Sequence, residues 1–533
     1  MGEASTVGHR WRSIRRAALV AAATTAILTG PSALPARAGS DPLGWQSFLE
    51  QPRSSDVRPV SATVLSGSVS NARGVTSAGG GVTTLTVPSG GRQATILLDY
   101  GVEVEGSPDV DVDSVASASG PLSLSLAFTE ARTYLRTPGS SALAAASSAG
   151  ATTITVQPGP PRRSLTFAPD DTVTLGSPTE VDRIAAVSGY RNTGDTAFVR
   201  QVLPWLEGQL AYDSTLANGD GLIVTGPTIS TTNGGFDWDF YDGAKTGVVT
   251  AFNELYYRTL RDLSYIETGL GNTARAAAYD QTANRVRESI NAVLFNPASG
   301  TYYSSDSDHS TFAQDANALS VLFGVAPASR APGIVRALRS LWGPHGSAPF
   351  SGSIFSSLIS PYITAFEVEA DYLAGDAADA ERLLHLTWDQ MLDRRGPFFT
   401  GTFWENIGAD GTATLSRTSL AHGWASGPTP IMTGFVLGVR PAEPGYRSFT
   451  VAPHFGSLTW ARGAVPTPFG RVFVRWSRDD GRFSLTVQAP PGTTGTIALP
   501  DGRHTVLNGG AHGAERTFSG RDRDDRTDSS GGD

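Results

Sequence analysis

Ala244 to Glu267 reads AKTGVVTAFNELYYRTLRDLSYIE, and this stretch decides the fold class. Val248, Phe252, Leu255, Tyr256, Leu260 and Leu263 recur at steps of three and four, the repeat that gathers apolar side chains on one face of an α-helix. The same period lies upstream in Thr196 to Ala211, where Phe198, Val202, Trp205 and Leu206 share a face. Downstream it returns in Thr273 to Leu294, Phe312 to Phe323, Ser329 to Leu341, Ile359 to Ala374, Ala377 to Leu392 and Leu415 to Leu437. Turns such as Gly269-Leu270-Gly271 and Pro297-Ala298-Ser299-Gly300 end one helix and admit the next. The pattern predicts eight helices in a helical domain spanning 188–440.

On both flanks the period changes to two. Thr83 to Val87, Ala94 to Leu98 and Leu122 to Phe128 are short β-branched or alternating runs broken by Gly and Ser clusters. They predict an N-terminal antiparallel β-sandwich over 41–136. A linker and small β insert follow over 137–187, carrying Thr152 to Val156 and Thr172 to Leu175. After Pro441, Phe449 to Val451, Val472 to Trp476 and Phe483 to Val487 predict a second β-sandwich over 441–516. From about Ser519 no apolar residue remains, and 517–533 reads as a disordered tail.

The first 38 residues read as an address. Arg10, Arg12, Arg15 and Arg16 form a cationic start, Ala17 to Thr29 is a short apolar run, and Ala36-Arg37-Ala38 supplies a cleavage site. The run is shorter than the roughly 20 residues a membrane span needs. The expectation is a secreted protein with a signal peptide and no membrane span, exported by the general or the twin-arginine route.

Composition removes several functions. The chain has 533 residues, a net charge of −9 and no Cys, which excludes disulfide frameworks, thiolate zinc sites and cysteine nucleophiles. An acidic chain without clustered cations is a poor nucleic-acid partner. No glycine-rich loop has the strand–loop–helix setting of a phosphate site, no His pair has metal-ligand spacing, and no serine-nucleophile elbow is present. Neither a metal nor a cofactor is expected.

What remains is carboxylates beside Trp in loops of the helical domain. Gly235-Phe236-Asp237-Trp238-Asp239-Phe240-Tyr241-Asp242-Gly243 precedes a helix, and one of its acids could serve only as a cap. Thr400-Gly401-Thr402-Phe403-Trp404-Glu405-Asn406 and Ser419-Leu420-Ala421-His422-Gly423-Trp424 are the other two clusters. Indole faces stack on the C–H faces of pyranose rings while carboxylates bind hydroxyls or move protons, so this pairing suits sugar chemistry.

These loops resemble those of the bacterial α-L-rhamnosidases. Asp237-Trp238, Gly401 to Glu405 and Leu420 to Trp424 carry the likeness, continued by Gly427-Pro428-Thr429, Val436-Leu437-Gly438-Val439-Arg440-Pro441, Val451-Ala452-Pro453-His454 and Val465-Pro466-Thr467-Pro468. It runs from about Gly189 to Leu499, and Leu98-Asp99-Tyr100-Gly101 with Thr129-Glu130-Ala131-Arg132 resembles an accessory sandwich. The resemblance implies a multidomain chain in which an (α/α)6-type toroid of six helical hairpins lies between antiparallel β-sandwiches. Only about eight of twelve helices are legible. It also implies a rhamnose-containing glycoside or polysaccharide as partner, and inverting hydrolysis that releases terminal α-L-rhamnose. Glu405 resembles the family's general base, while Asp237, Trp238, Asp239, Trp404, His422 and Trp424 take the positions of substrate contacts. The family's general-acid segment, Asp-Gly-x-x-Arg-Asp/Glu-Arg, has no counterpart here. A non-catalytic carbohydrate-binding protein on the same scaffold is therefore the alternative.

Overall fold

The computed structural model describes residues 58–76, 80–86, 93–101, 109–112, 122–127, 151–156, 162–166, 189–225, 245–353, 356–396, 398–413 and 419–521. The expected signal peptide, the run at Thr172 to Leu175 and the segment from Gly235 to Gly243 lie outside them.

The described N-terminal strands pair in antiparallel ladders. Ser61–Ser66 pairs with Thr95–Asp99, and Ser68–Ser70 with Thr84–Thr86. Asp109–Val112 pairs with Arg162–Thr166, and Leu122–Ala127 with Ala151–Val156. The last two ladders join strands from either side of the expected boundary at 136/137.

The helical region is built from α1 (Thr196–Ser214), α2 (Thr250–Gly269), α3 (Thr273–Val293), α4 (Gln314–Leu322), α5 (Ala331–Leu338), α6 (Pro361–Leu373) and α7 (Ala377–Leu392). Helices α2/α3, α4/α5 and α6/α7 pack as successive hairpins, and α2, α4 and α6 also pack on one another. Burial separates the two rows. Helix α4 buries Gln314 to Val321 without interruption, whereas α3 buries only Ala276, Ala283, Val286 and Ile290 along one stripe. A helix buried all round is an inner one, and a striped helix is an outer one.

The inner helices run side by side in the same direction, and backbone bridges join the loops that feed them. Val249 pairs with Ser305, Ala313 with Phe350, and Ile359 with Ile407. Side chains repeat the stitching one layer down. Lys245 Nζ donates to Asp315 Oδ2 at 2.6 Å, and Gln314 Nε2 donates to Glu367 Oε2 at 2.6 Å.

Two helix expectations require correction. The helix read from Ala244 starts at Thr250. Lys245 is drawn into its buried ion pair, Gly247 takes φ +83, and Val249 is held extended by its bridge. The helix read over Leu415 to Leu437 is interrupted. Residues 419–422 form a loop, followed by a 3₁₀ turn at Gly423–Ser426, one helical turn at Pro428–Ile431 and a π turn at Met432–Val436. Hydrogen bonds from this loop to the segment around Glu405 hold its backbone away from helical geometry.

The C-terminal domain has two four-stranded sheets. Strands β1 (Val439–Pro441), β2 (Ser448–Val451), β6 (Thr494–Ala498) and β7 (His504–Asn508) form one in the order β1-β2-β6-β7, with β2 and β6 parallel. Strands β3 (Trp460–Thr467), β4 (Gly470–Asp479), β5 (Arg482–Ala489) and β8 (Ala514–Arg521) form the other in the order β3-β4-β5-β8. Period-two burial of Val472, Val474 and Trp476 on β4 and of Phe483, Leu485 and Val487 on β5 faces Phe449, Val451 and Ile497 in one core. The sandwich runs past its expected end at 516, because the ladder to β5 continues through Leu485↔Phe518 to Arg482↔Arg521.

The same core continues into the helices, so sandwich and inner row share apolar packing. Trp476 Nε1 donates to Val436 O at 2.8 Å, and Glu381 on α7 accepts from the Ser457 backbone N–H at 2.9 Å. At the crossing, Gly438 takes φ +74, and a Cβ there would lie 2.2 Å from the Ala452 carbonyl carbon. Only glycine combines that conformation with that approach. Gly438→Ala is expected to cost about 2–4 kcal/mol of unfolding free energy. Urea denaturation checks this, and an unchanged midpoint would show that the junction carries no such constraint.

Candidate active site

The feeding loops collect at the N-terminal ends of the inner helices, and two of the three sequence clusters meet there. Glu405 N donates to Ser419 O at 2.9 Å, and His422 N donates to Phe403 O at 2.9 Å. Thr402 Oγ1 closes the same seam on Leu420 O at 2.7 Å. The Glu405 side chain adds a bond of its own, its Oε2 accepting from Ser419 N at 2.8 Å. Glu405 is only 7% exposed. Its carboxyl is therefore fixed at one oxygen by a backbone donor.

His422 and Trp424 follow on the same loop, both partly exposed. The His422 ring stands edge-on to the Trp424 indole at 4.4 Å and 81°. Tyr362, the second residue of α6, lies against the indole at 4.9 Å and 20°. The loop is anchored behind by Trp388 Nε1, which donates to Ala425 O at 2.9 Å.

Trp404 departs from the expectation of a substrate contact. Its ring is 3% exposed and belongs to the apolar core, edge-on to Phe398 at 6.2 Å. Its backbone N–H points at Met391 Sδ at 3.2 Å. Asp237, Trp238 and Asp239 lie outside the described residues.

Sequence reasoning missed Tyr362. The available signal was Ser360-Pro361, since Pro at the first helical position marks a helix start and places the next residue at the site end. Asp308, between α3 and α4, is partly desolvated, yet hydrogen bonds from Ser310 and Thr311 hold its carboxyl below the usual carboxylate range. An acid held ionised is a hydroxyl acceptor rather than a proton donor.

Other carboxyls are shifted upward. Glu254 on the first turns of α2 is pushed well above the usual range by burial and by the neighbouring Asp315 charge. Glu369, two turns beyond Tyr362 on α6, is pushed up to about 7 by desolvation, against the pull of Arg440 and Arg258. Arg440 sits over the Phe435 ring at 3.7 Å and donates Nε to Gly434 O at 2.8 Å.

A matching pair of family assignments follows this geometry. Residues 438–514 match the bacterial alpha-L-rhamnosidase C-terminal domain, and residues 171–354 match the mannosylglycerate hydrolase MGH1-like glycoside hydrolase domain. An α-L-rhamnosidase of Streptomyces avermitilis is 30% identical over 127 residues, covering 23% of this chain and 12% of that protein. One from Formosa agariphila is 33% identical over 84 residues, covering 15% of this chain and 9% of that one. The chain thus spans about a tenth of the length of these curated relatives. Among solved structures, the family GH78 rhamnosidase of Bacillus sp. GL1 aligns with TM-score 0.48 at 24% identity, covering 60% of this chain and 33% of that one.

Helical hairpins that feed their loops into one end, joined to a C-terminal sandwich, are the frame on which these two matches fall. Residues 438–514 are thus similar to a domain of bacterial α-L-rhamnosidases, and residues 171–354 to a glycoside hydrolase domain.

The position of Glu369 sets a pH dependence. Its folded value, about 7, lies above the ordinary 4.5, so the folded protein holds this proton more tightly than the unfolded chain. The resulting stabilisation is complete below about pH 4.5 and is lost as pH rises through 7. Denaturation series between pH 4.5 and 8 are expected to show falling stability for the wild type and a flatter profile for Glu369→Gln. Parallel profiles would remove Glu369 as the cause.

Proposed function

We propose that this chain acts in the hydrolysis of terminal α-L-rhamnosides with inversion, and that Glu405 is the general base. One observation carries the reading. A buried carboxyl, tethered by a backbone N–H, stands where the inner-helix loops converge and on the segment bonded to the His422 loop. In inverting hydrolysis one carboxylate takes a proton from water while an acid on the opposite side of the sugar protonates the departing oxygen, the two standing about 6.5–9.5 Å apart. Glu405 fills the first role. His422 and Trp424 contact the sugar, as do Asp237, Trp238 and Asp239 on the preceding loop. Asp239 and Asp242 are the candidates for the proton donor, by their place before α2.

The substrate follows from the relatives, which are α-L-rhamnosidases by name. We further propose that the protein is exported, on the charged and apolar pattern of its first 38 residues. Among the described residues no helix is long and apolar enough to cross a membrane.

The test is hydrolysis of an aryl α-L-rhamnoside. Glu405→Gln is expected to lower kcat by about 10²–10⁴-fold, the usual contribution of a general base, while L-rhamnose binding persists. Turnover unaffected by this substitution would remove Glu405 from the mechanism. Rhamnose binding by a wild type with no turnover would instead mark a carbohydrate-binding role.

A further inference from the structure

The aromatic side chains at the site form a ladder that begins on α6. Phe366 stands edge-on to Tyr362 at 4.8 Å and 62°, Tyr362 lies nearly parallel to Trp424, and Trp424 carries His422 edge-on. Backbone geometry fixes both sides of its central rung. Tyr362 follows the Ile359↔Ile407 bridge by three residues, so its place is tied to the loop segment that bears Glu405. The Trp424 turn is pressed onto the same helix. A Cβ at Gly427 would lie 2.3 Å from Ala365 Cβ, and Trp388 holds Ala425 O.

We propose that Tyr362 is a positioning residue for sugar binding. It holds the Trp424 indole, and through it the His422 ring, in the orientation that meets the substrate. The inference rests on the proposed function, because it assigns the ladder's outer end to the sugar. The physical reason is that a stacked ring occupies one indole face and removes the freedom of the indole to swing about its side-chain torsions. A ring fixed before binding spares the ordering cost that a mobile one would incur when sugar arrives. Tyr362 acts through its ring, so its hydroxyl is dispensable.

A double-mutant cycle on the full chain tests this, with L-rhamnose affinity by calorimetry and kcat and KM on an aryl α-L-rhamnoside as readouts. Tyr362→Leu is expected to weaken rhamnose binding and raise KM about five- to tenfold, with a smaller change in kcat. Tyr362→Phe is expected to stay within about twofold of wild type. Trp424→Ala is expected to weaken binding at least as much as Tyr362→Leu, and adding Tyr362→Leu to it should cost nothing more. Should the Leu variant show no folding transition, Tyr362→Met, which fills the space with a flexible chain but has no ring, carries the same cycle. Additive losses in the double variant, or a Phe variant as weak as the Leu one, overturn the proposal. Equal affinity of wild type and Tyr362→Leu overturns this role alone, whereas a wild type that neither binds rhamnose nor cleaves the rhamnoside overturns the proposed function with it.

Discussion

The structure depends on how the inner helices satisfy their first N–H groups. Every α-helix begins with backbone donors that have no partner within the helix. At α2 and α4 the capping positions are Val249 and Ala313, whose side chains cannot accept a hydrogen bond. The donors are met from the adjoining loop instead, Thr250 N by Ser304 O and Gln314 N by Pro349 O. Each helix start is thereby tied to the loop feeding its neighbour. The loops become a continuous rim, and a rim built from backbone bonds can hold side chains in fixed positions for chemistry.

Beneath that rim the inner row is unusually polar for buried structure. Asn253 exchanges bonds with both Ile223 N and Ile223 O, Gln314 reaches across to Glu367, and Glu367 also accepts from Trp342 Nε1 at 2.6 Å. Such bonds add less to net stability than apolar packing of equal volume, but a partner displaced by one turn would leave a buried polar atom unsatisfied. They therefore set the register between helices. Lys245, the single lysine of the chain, shows the same logic, since its buried pairing with Asp315 places the loop before α2 against the start of α4. Losing either partner alone would strand a charge inside the protein.

The site inherits its order from these two devices. Glu405 is fixed because its segment is bonded on one side to the His422 loop and tied on the other through Ile407 to the start of α6. Trp404 lies in the core behind it, packed with Phe398 and Met391, so the sequence neighbour of the proposed base supports rather than contacts. The rings that do stand at the opening come from two elements far apart in sequence, α6 and the 3₁₀ turn at Gly423–Ser426. This is a loop-borne site carried by a rigid scaffold.

How much was legible divides along the same line. Helix α7 was read as Ala377 to Leu392 and is found there, because Asp376 caps it locally and its apolar stripe is one-sided. The strands β2, β4 and β5 were legible for a similar reason, since alternation with one buried face is written residue by residue. Glu405, His422 and Trp424 could be singled out from composition and spacing alone. The start of α2, the break in the last helix, the burial of Trp404 and the stacking of Tyr362 on Trp424 could not. Each depends on a bond or contact with a segment tens of residues away, and local periodicity holds no information about such a partner. The sequence by itself determined which segments would be helix or strand wherever capping and burial are local. Tertiary structure alone decided where the inner helices begin and which side chains face the opening, because there the donors are satisfied by a neighbouring loop rather than by their own.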